Sequence, residues 1–169
     1  MAGGRSRKLP DASVFGPMRH RFGVRLSFAG TAFLNCYAEA LEPLLLTPSR
    51  VLALAFVNEH PGADQASLGR AMKINRASAM ELVDKLEGCG LLRRSPGADK
   101  RGYALHLTHQ GASSFREALD LELQLHNELF GWMTEAEQQS FLAVVDEVVQ
   151  RAVARSEMSL PDPLRSLSG

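Results

Sequence analysis

Residues 64–108 read DQASLGRAMKINRASAMELVDKLEGCGLLRRSPGADKRGYALHLT, and this run decides the fold. Asp64 suits a helix N-cap, because its carboxylate can accept from the free N–H groups of a first turn. Ala66, Leu68, Ala71 and Met72 then give a short helix with one apolar face. Lys73-Ile74-Asn75 interrupts it, and Asn75 caps a second helix that runs to about Glu87. In that helix Ala79, Leu82, Val83 and Leu86 share one side, and Arg76, Ser78, Met80, Glu81 and Lys85 lie towards the other. Gly88 and Gly90 offer the left-handed backbone of a helix end. Leu91–Ser95 and Tyr103–Leu107 read as two strands around the turn-rich loop PGADKRG. Two helices joined by a tight turn, the second with a polar outer face, make a helix-turn-helix. Its second helix fits a major groove, and a basic hairpin tip suits the negative potential of a minor groove.

The landmarks around this core carry a specific resemblance. Leu46-Thr47-Pro48, Leu82-Val83-Asp84-Lys85-Leu86-Glu87, Gly90-Leu91-Leu92-Arg93-Arg94, Asp99-Lys100-Arg101 and Leu107-Thr108 with Gly111 occur in this order, at spacings that need no insertion or deletion. In this order they resemble the winged helix-turn-helix of MarR-type transcriptional regulators, over roughly residues 18–155. The resemblance implies a homodimer whose first and last helices interleave and hold two winged domains apart. It also implies that Arg101 enters a minor groove, oriented by Asp99.

The flanking sequence is consistent with a mainly α fold and a small β-hairpin. Residues 1–17 form a basic tail. From Met18 to about Leu41 a helical stripe runs through Phe22, Leu26, Ala29, Phe33, Cys36, Tyr37 and Ala40. Thr47 caps a helix with Pro48 at its first position, apolar nearly all round and ending near His60-Pro61-Gly62. Thr108 caps a long helix from His109 to about Phe130, and Thr134 with Glu137 makes a capping box for a last helix to about Arg155. The expected organisation is an N-terminal dimerisation helix (18–47), a DNA-binding domain (48–108), C-terminal dimerisation helices (109–155) and a tail (156–169). The terminal helices carry more apolar surface than a small winged domain can cover, which a twofold partner would bury.

Net charge is zero over 169 residues, but its distribution is uneven. Residues 1–25 carry six basic groups against Asp11, and residues 65–108 carry eight against four acids, while residues 109–169 sum to −6. Phosphate neutralisation depends on the local patch, so the total does not exclude DNA. No run of eighteen apolar residues is present, and the N-terminus lacks an apolar signal core, so a cytoplasmic protein is expected. Cys36 and Cys89 have no partner motif, and the five histidines form no metal-ligand spacing with them. No nucleophile elbow, phosphate loop or dinucleotide fingerprint occurs, so neither an enzyme nor a cofactor is expected.

The residues expected at DNA follow from this layout. Arg76, Ser78 and Lys85 suit groove or phosphate contacts, the alternative for Lys85 being a solvated helix face. Gln65 and Ser67 can reach phosphate from the first helix of the pair. Met80 can touch a thymine methyl or simply pack, and Glu81 can accept from a cytosine amino group, although an acid is repelled by phosphate. Arg93, Arg94 and Lys100 supply charge beside Asp99 and Arg101. The resemblance further implies release by a small aromatic effector: a phenol, an aromatic acid or its CoA thioester. His20, Arg21, Phe22, Arg25 and Phe33 are its candidate contacts, since an arginine fork pairs both oxygens of a carboxylate; solvated arginines and core aromatics are the alternative. The functional expectation is a ligand-released repressor bound as a homodimer to a pseudo-palindromic operator. The alternative is a constitutive or architectural DNA binder without an effector.

Overall fold

The computed structural model describes residues 16–18, 20–96 and 103–156. Its elements run α1 (Phe22–Leu41), α2 (Pro48–Glu59), α3 (Gln65–Ala71), α4 (Arg76–Gly88), β1 (Leu92–Pro96), β2 (Tyr103–Leu107), α5 (His109–Phe130) and α6 (Glu135–Ser156). The chain divides into two compact units, the first ending at Cys36 and the second beginning at Tyr37. α1 begins at Phe22, later than the expected Met18, which lies in a short 3-10 turn.

Each expected N-cap is made. Thr47 accepts from the Arg50 N–H at 3.3 Å, Asp64 from Ser67 at 2.7 Å, Asn75 from Ser78 at 2.9 Å and Thr108 from Gly111 at 2.9 Å. These bonds satisfy N–H groups that a helix start leaves free. Hydrogen bonds from Ser67 also hold the Asp64 carboxyl below the ordinary carboxylate range. At α6 the capping box is reciprocal: the Thr134 N–H donates to Glu137 at 2.8 Å, and the Glu137 N–H to the Thr134 hydroxyl at 3.3 Å.

The helix ends are less regular. α4 runs through Gly88, and Gly90 alone of the two glycines takes the left-handed conformation, at φ +71°. The Gly90 N–H donates to Glu87 O and the Leu91 N–H to Leu86 O, the paired closure of a Schellman motif. α3 closes in the same way, with Lys73 to Arg70 O and Ile74 to Gly69 O, but its left-handed residue is Lys73 at φ +53°. After α1, Leu45 at φ +54° plays the same part, with its side chain 81% exposed. A side chain in this region costs roughly 1–2 kcal/mol, against glycine's own entropic cost of roughly 0.5–1 kcal/mol. Leu45→Gly is therefore expected to stabilise the fold by about 0.5–1 kcal/mol, read as a rise of roughly 1–4 °C in the thermal midpoint. A lowered midpoint would show that the Leu45 side chain packs.

The winged unit is built around the hairpin. β1 and β2 pair antiparallel, with Leu92 opposite Leu107 and Arg94 opposite Leu105. A third edge, absent from the sequence reading, joins β2: the Gly62 N–H donates to Leu105 O at 2.8 Å, the Leu105 N–H to Ala63 O at 2.9 Å, and Asp64 bridges Ala104. The cap of α3 is thereby fixed to the hairpin. Leu54, Leu68, Val83, Leu86, Leu92 and Leu105 fill the core between them, each 2% exposed or less. Tyr37, also buried, donates its hydroxyl to Ala118 O of α5 at 3.3 Å. Burial, with Glu122 nearby, raises its phenol above the ordinary value.

α6 departs from this pattern. Among its described side chains none is buried, although Phe141, Leu142, Val144, Val145, Val148, Val149 and Val153 lie along it. Among the described residues, no single helix is long and apolar enough to cross a membrane.

Candidate nucleic-acid interface

α4 is seated by its apolar side and leaves its other side to solvent. Ala79, Val83 and Leu86 are buried; Arg76, Ala77, Ser78, Met80, Glu81, Asp84 and Lys85 are exposed. α3 crosses behind it at close range, because a Cβ on Gly69 would stand only 3.2 Å from the Ala79 Cβ. Two small residues thus set how near the helices of the pair approach.

Between α3, the start of α4 and the hairpin lies an open groove of about 1000 Å³. Ile74, Ala79 and Leu105 line it, with Tyr103 of β2, 64% exposed, alongside. Arg70, Lys73, Arg76 and Arg94 bring four cations to it, and Asp64 one acid. An apolar floor under a cationic rim suits a polyanion whose backbone lies along the rim. Arg70, Lys73 and Tyr103 were not among the residues expected here from sequence. Arg70 and Lys73 counted only towards the local charge, and the turn that carries Lys73 into the groove has no glycine to announce it.

Three expected contacts are engaged elsewhere in the domain. Arg94, expected to supply charge, reaches back to α4: one guanidinium nitrogen donates to Asp84 at 2.5 Å, another to Glu87, and its N–H to Glu87 at 3.2 Å. Burial works against its charge, but the bonds to Asp84 and Glu87 prevail and raise its pKa. It clamps the hairpin to α4. Lys85 pairs with Glu81 at 2.6 Å across one helical turn, with both side chains more than half exposed. Ser67 accepts from Arg70 at 2.8 Å through its hydroxyl.

The other expected residues fall as follows. Gln65 sits half-buried on the groove's lip, and Arg93 is exposed on β1 opposite His106. His106 is half-buried, its ring 3.1 Å from the Ser95 hydroxyl. Asp99, Lys100 and Arg101 lie outside the described residues. Of the effector candidates, all in the first compact unit, His20, Arg21, Phe22 and Arg25 are exposed and Phe33 is half-buried.

Comparison with known proteins gives a consistent result. Residues 46–102 match the MarR family. A protein assigned to regulation of the hcr operon in Thauera aromatica is 24% identical over 140 residues, covering 82% of this chain and 84% of its own. The transcriptional regulator HosA of Escherichia coli is 27% identical over 105 residues, 62% of this chain and 78% of its own. Among solved structures, the repressor CouR bound to a 23-mer DNA duplex superposes with a TM-score of 0.73 at 23% identity, covering 80% of this chain and 96% of its own. CouR bound to p-coumaroyl-CoA gives 0.70 at 21% identity over 79% and 95%. Wild-type MarR of Escherichia coli gives 0.66 at 22% identity over 76% and 96%.

Proposed function

We propose that this chain, whose residues 46–102 match the MarR family, is a DNA-binding transcriptional regulator of that family, a repressor that binds a pseudo-palindromic operator as a homodimer and is released by a small aromatic effector. The observation that carries the reading is the groove itself: a capped α4 with its outer side open to solvent, beside a hairpin, with Arg70, Lys73 and Arg76 at the rim. α4 enters a major groove, with Arg76 and Ser78 at its leading end. Gln65 and Ser67 approach phosphate from α3, and Arg93 adds charge from β1. The loop bearing Asp99, Lys100 and Arg101 reaches an adjacent minor groove. α1, α5 and α6 form the twofold interface, which sets half-sites about one helical turn apart.

The effector part rests on chemistry and kinship. CouR has this fold and was solved with p-coumaroyl-CoA. Arg21 and Arg25 are exposed cations close in sequence to Phe22 and Phe33, a combination that suits an aromatic acid or its CoA thioester.

The test is fluorescence anisotropy with the promoter duplex upstream of the protein's own gene, at fixed salt, repeated with aromatic acids and their CoA thioesters. Saturable binding that weakens with at least one of them is expected. Operator affinity unchanged at millimolar concentrations across the series would remove the effector and leave a constitutive binder. Arg101→Ala is expected to weaken operator binding roughly 5- to 150-fold while leaving the melting temperature in place. Unaltered affinity would mean that the hairpin does not reach the duplex.

A further inference from the structure

The outermost ridge of α4 follows from its buried side. With Ala79, Val83 and Leu86 in the core and 100° of turn per residue, the opposite line runs through Ala77, Glu81, Asp84 and Gly88, all exposed. Lys85 flanks it, whereas Arg76, seven residues before buried Val83, stands towards the seated side in the first turn. The groups that project furthest are therefore a methyl and two carboxylates, with the Lys85 cation to one side. A ridge of this kind is poorly suited to gripping phosphate and better suited to base edges.

The two acids differ. Asp84 is held by Arg94, whose other nitrogen is on Glu87. Glu81 pairs along its own helix with Lys85, and their side chains are 67% and 53% exposed. An exposed pair of this type is weak and exchanges readily, so Lys85 can swing to a phosphate as Glu81 meets a base. The bond from Lys85, and its charge, hold the Glu81 carboxyl below the ordinary range. At neutral pH Glu81 is therefore an acceptor with no proton to give.

That restricts its partner. In the major groove guanine presents two acceptors, and thymine an acceptor and a methyl, both unfavourable to a carboxylate. Adenine sets its amino donor beside the N7 acceptor, an arrangement that matches an amide better than a carboxylate. Cytosine offers its amino group alone. We propose that Glu81 is a specificity-determining residue that selects cytosine at one position of each operator half-site, with Lys85 as its positioning partner. This deepens the proposed function and rests on α4 entering the major groove.

The experiment is selection from randomised duplexes with the full chain, its Glu81→Gln and its Glu81→Ala variants. The wild type is expected to enrich half-sites with one fixed cytosine. Replacing that base by 2-pyrimidinone, cytosine without its amino group, is expected to lower affinity roughly 5- to 150-fold. Glu81→Gln is expected to move the preference at that position to adenine, and Glu81→Ala to abolish it. If both variants enrich the wild-type half-site with unchanged base ranking, or the analogue binds like cytosine, the assignment of Glu81 is wrong while DNA recognition stands. If the wild type enriches no sequence at all, the operator-binding function fails, and this inference with it. The analogue measurement uses the unmodified protein, so it decides the matter even for a variant that does not fold.

Discussion

Gly111→Ala is expected to destabilise the protein by about 3 kcal/mol or more, well beyond the usual cost of an added methyl. Gly111 is buried in the first turn of α5, where that helix lies against the chain leaving α4. A Cβ there would overlap the Leu91 carbonyl oxygen and stand 2.8 Å from its carbon. The obstacle is backbone, and it is pinned from several sides. The Leu91 N–H closes the end of α4 on Leu86 O, the Thr108 N–H donates to Leu91 O at 3.1 Å, and the Thr108 hydroxyl donates to Gly90 O at 2.6 Å. Leu91 and Leu92 are themselves buried, at 6% and 2% exposure. Relieving the overlap means moving α5 away from the hairpin or breaking the Thr108 cap. Against a total stability of roughly 5–15 kcal/mol, the thermal midpoint measured by circular dichroism should fall by about 6–12 °C or more. Gly88→Ala makes the internal comparison: it lies within α4, nothing stands within 4 Å of its added Cβ, and a gain of up to about 1 kcal/mol is expected. Equal midpoints for the two variants would show that α5 does not approach Leu91 so closely.

That glycine shows where sequence reading reaches and where it stops. Caps are legible because their chemistry is local: Thr47, Asp64, Asn75, Thr108 and Thr134 each act within three residues along the chain. The apolar periodicity of α4 placed Ala79, Val83 and Leu86 in the core for the same reason. Gly111, in contrast, was only a landmark after Thr108, since the Leu91 carbonyl it must clear is twenty residues away. Lys73 and Leu45 hide helix ends because no glycine marks them. The pairing of residues 62–64 with β2 has no alternating pattern to reveal it. Arg94 illustrates the limit at the site. A basic residue beside a basic loop reads as a phosphate contact, whereas the folded chain brings Asp84 and Glu87 within its reach. Charge counted along a sequence cannot tell a cation facing DNA from one already paired.

Charging the open stripe of α6 is expected to separate the protein into monomers and to weaken operator binding about 100-fold or more. Phe141, Val144 and Val148 recur at helical spacing and are 46%, 62% and 45% exposed. Leu142 on the same helix is 59% exposed, and Leu119 and Leu123 of α5 are 47% and 56% exposed. Several exposed large apolar side chains along one helix suit an interface, and a twofold partner is the occupant that the proposed function requires. In a symmetric interface each substitution acts twice, and a carboxylate buried without a partner costs several kcal/mol. Val144→Glu with Val148→Glu should therefore sediment at the 18.4 kDa of one chain, where the proposed dimer is expected at twice that mass. Two winged domains linked in one dimer bind their half-sites with an effective concentration that separate chains lack, a difference of about 10²–10⁴ in avidity. Helix content should survive, because both side chains are exposed in the single chain. If the doubly charged variant keeps both the mass and the operator affinity of the unmodified protein, α6 is not the interface. If it loses its helices instead, the stripe belongs to the core of the single chain.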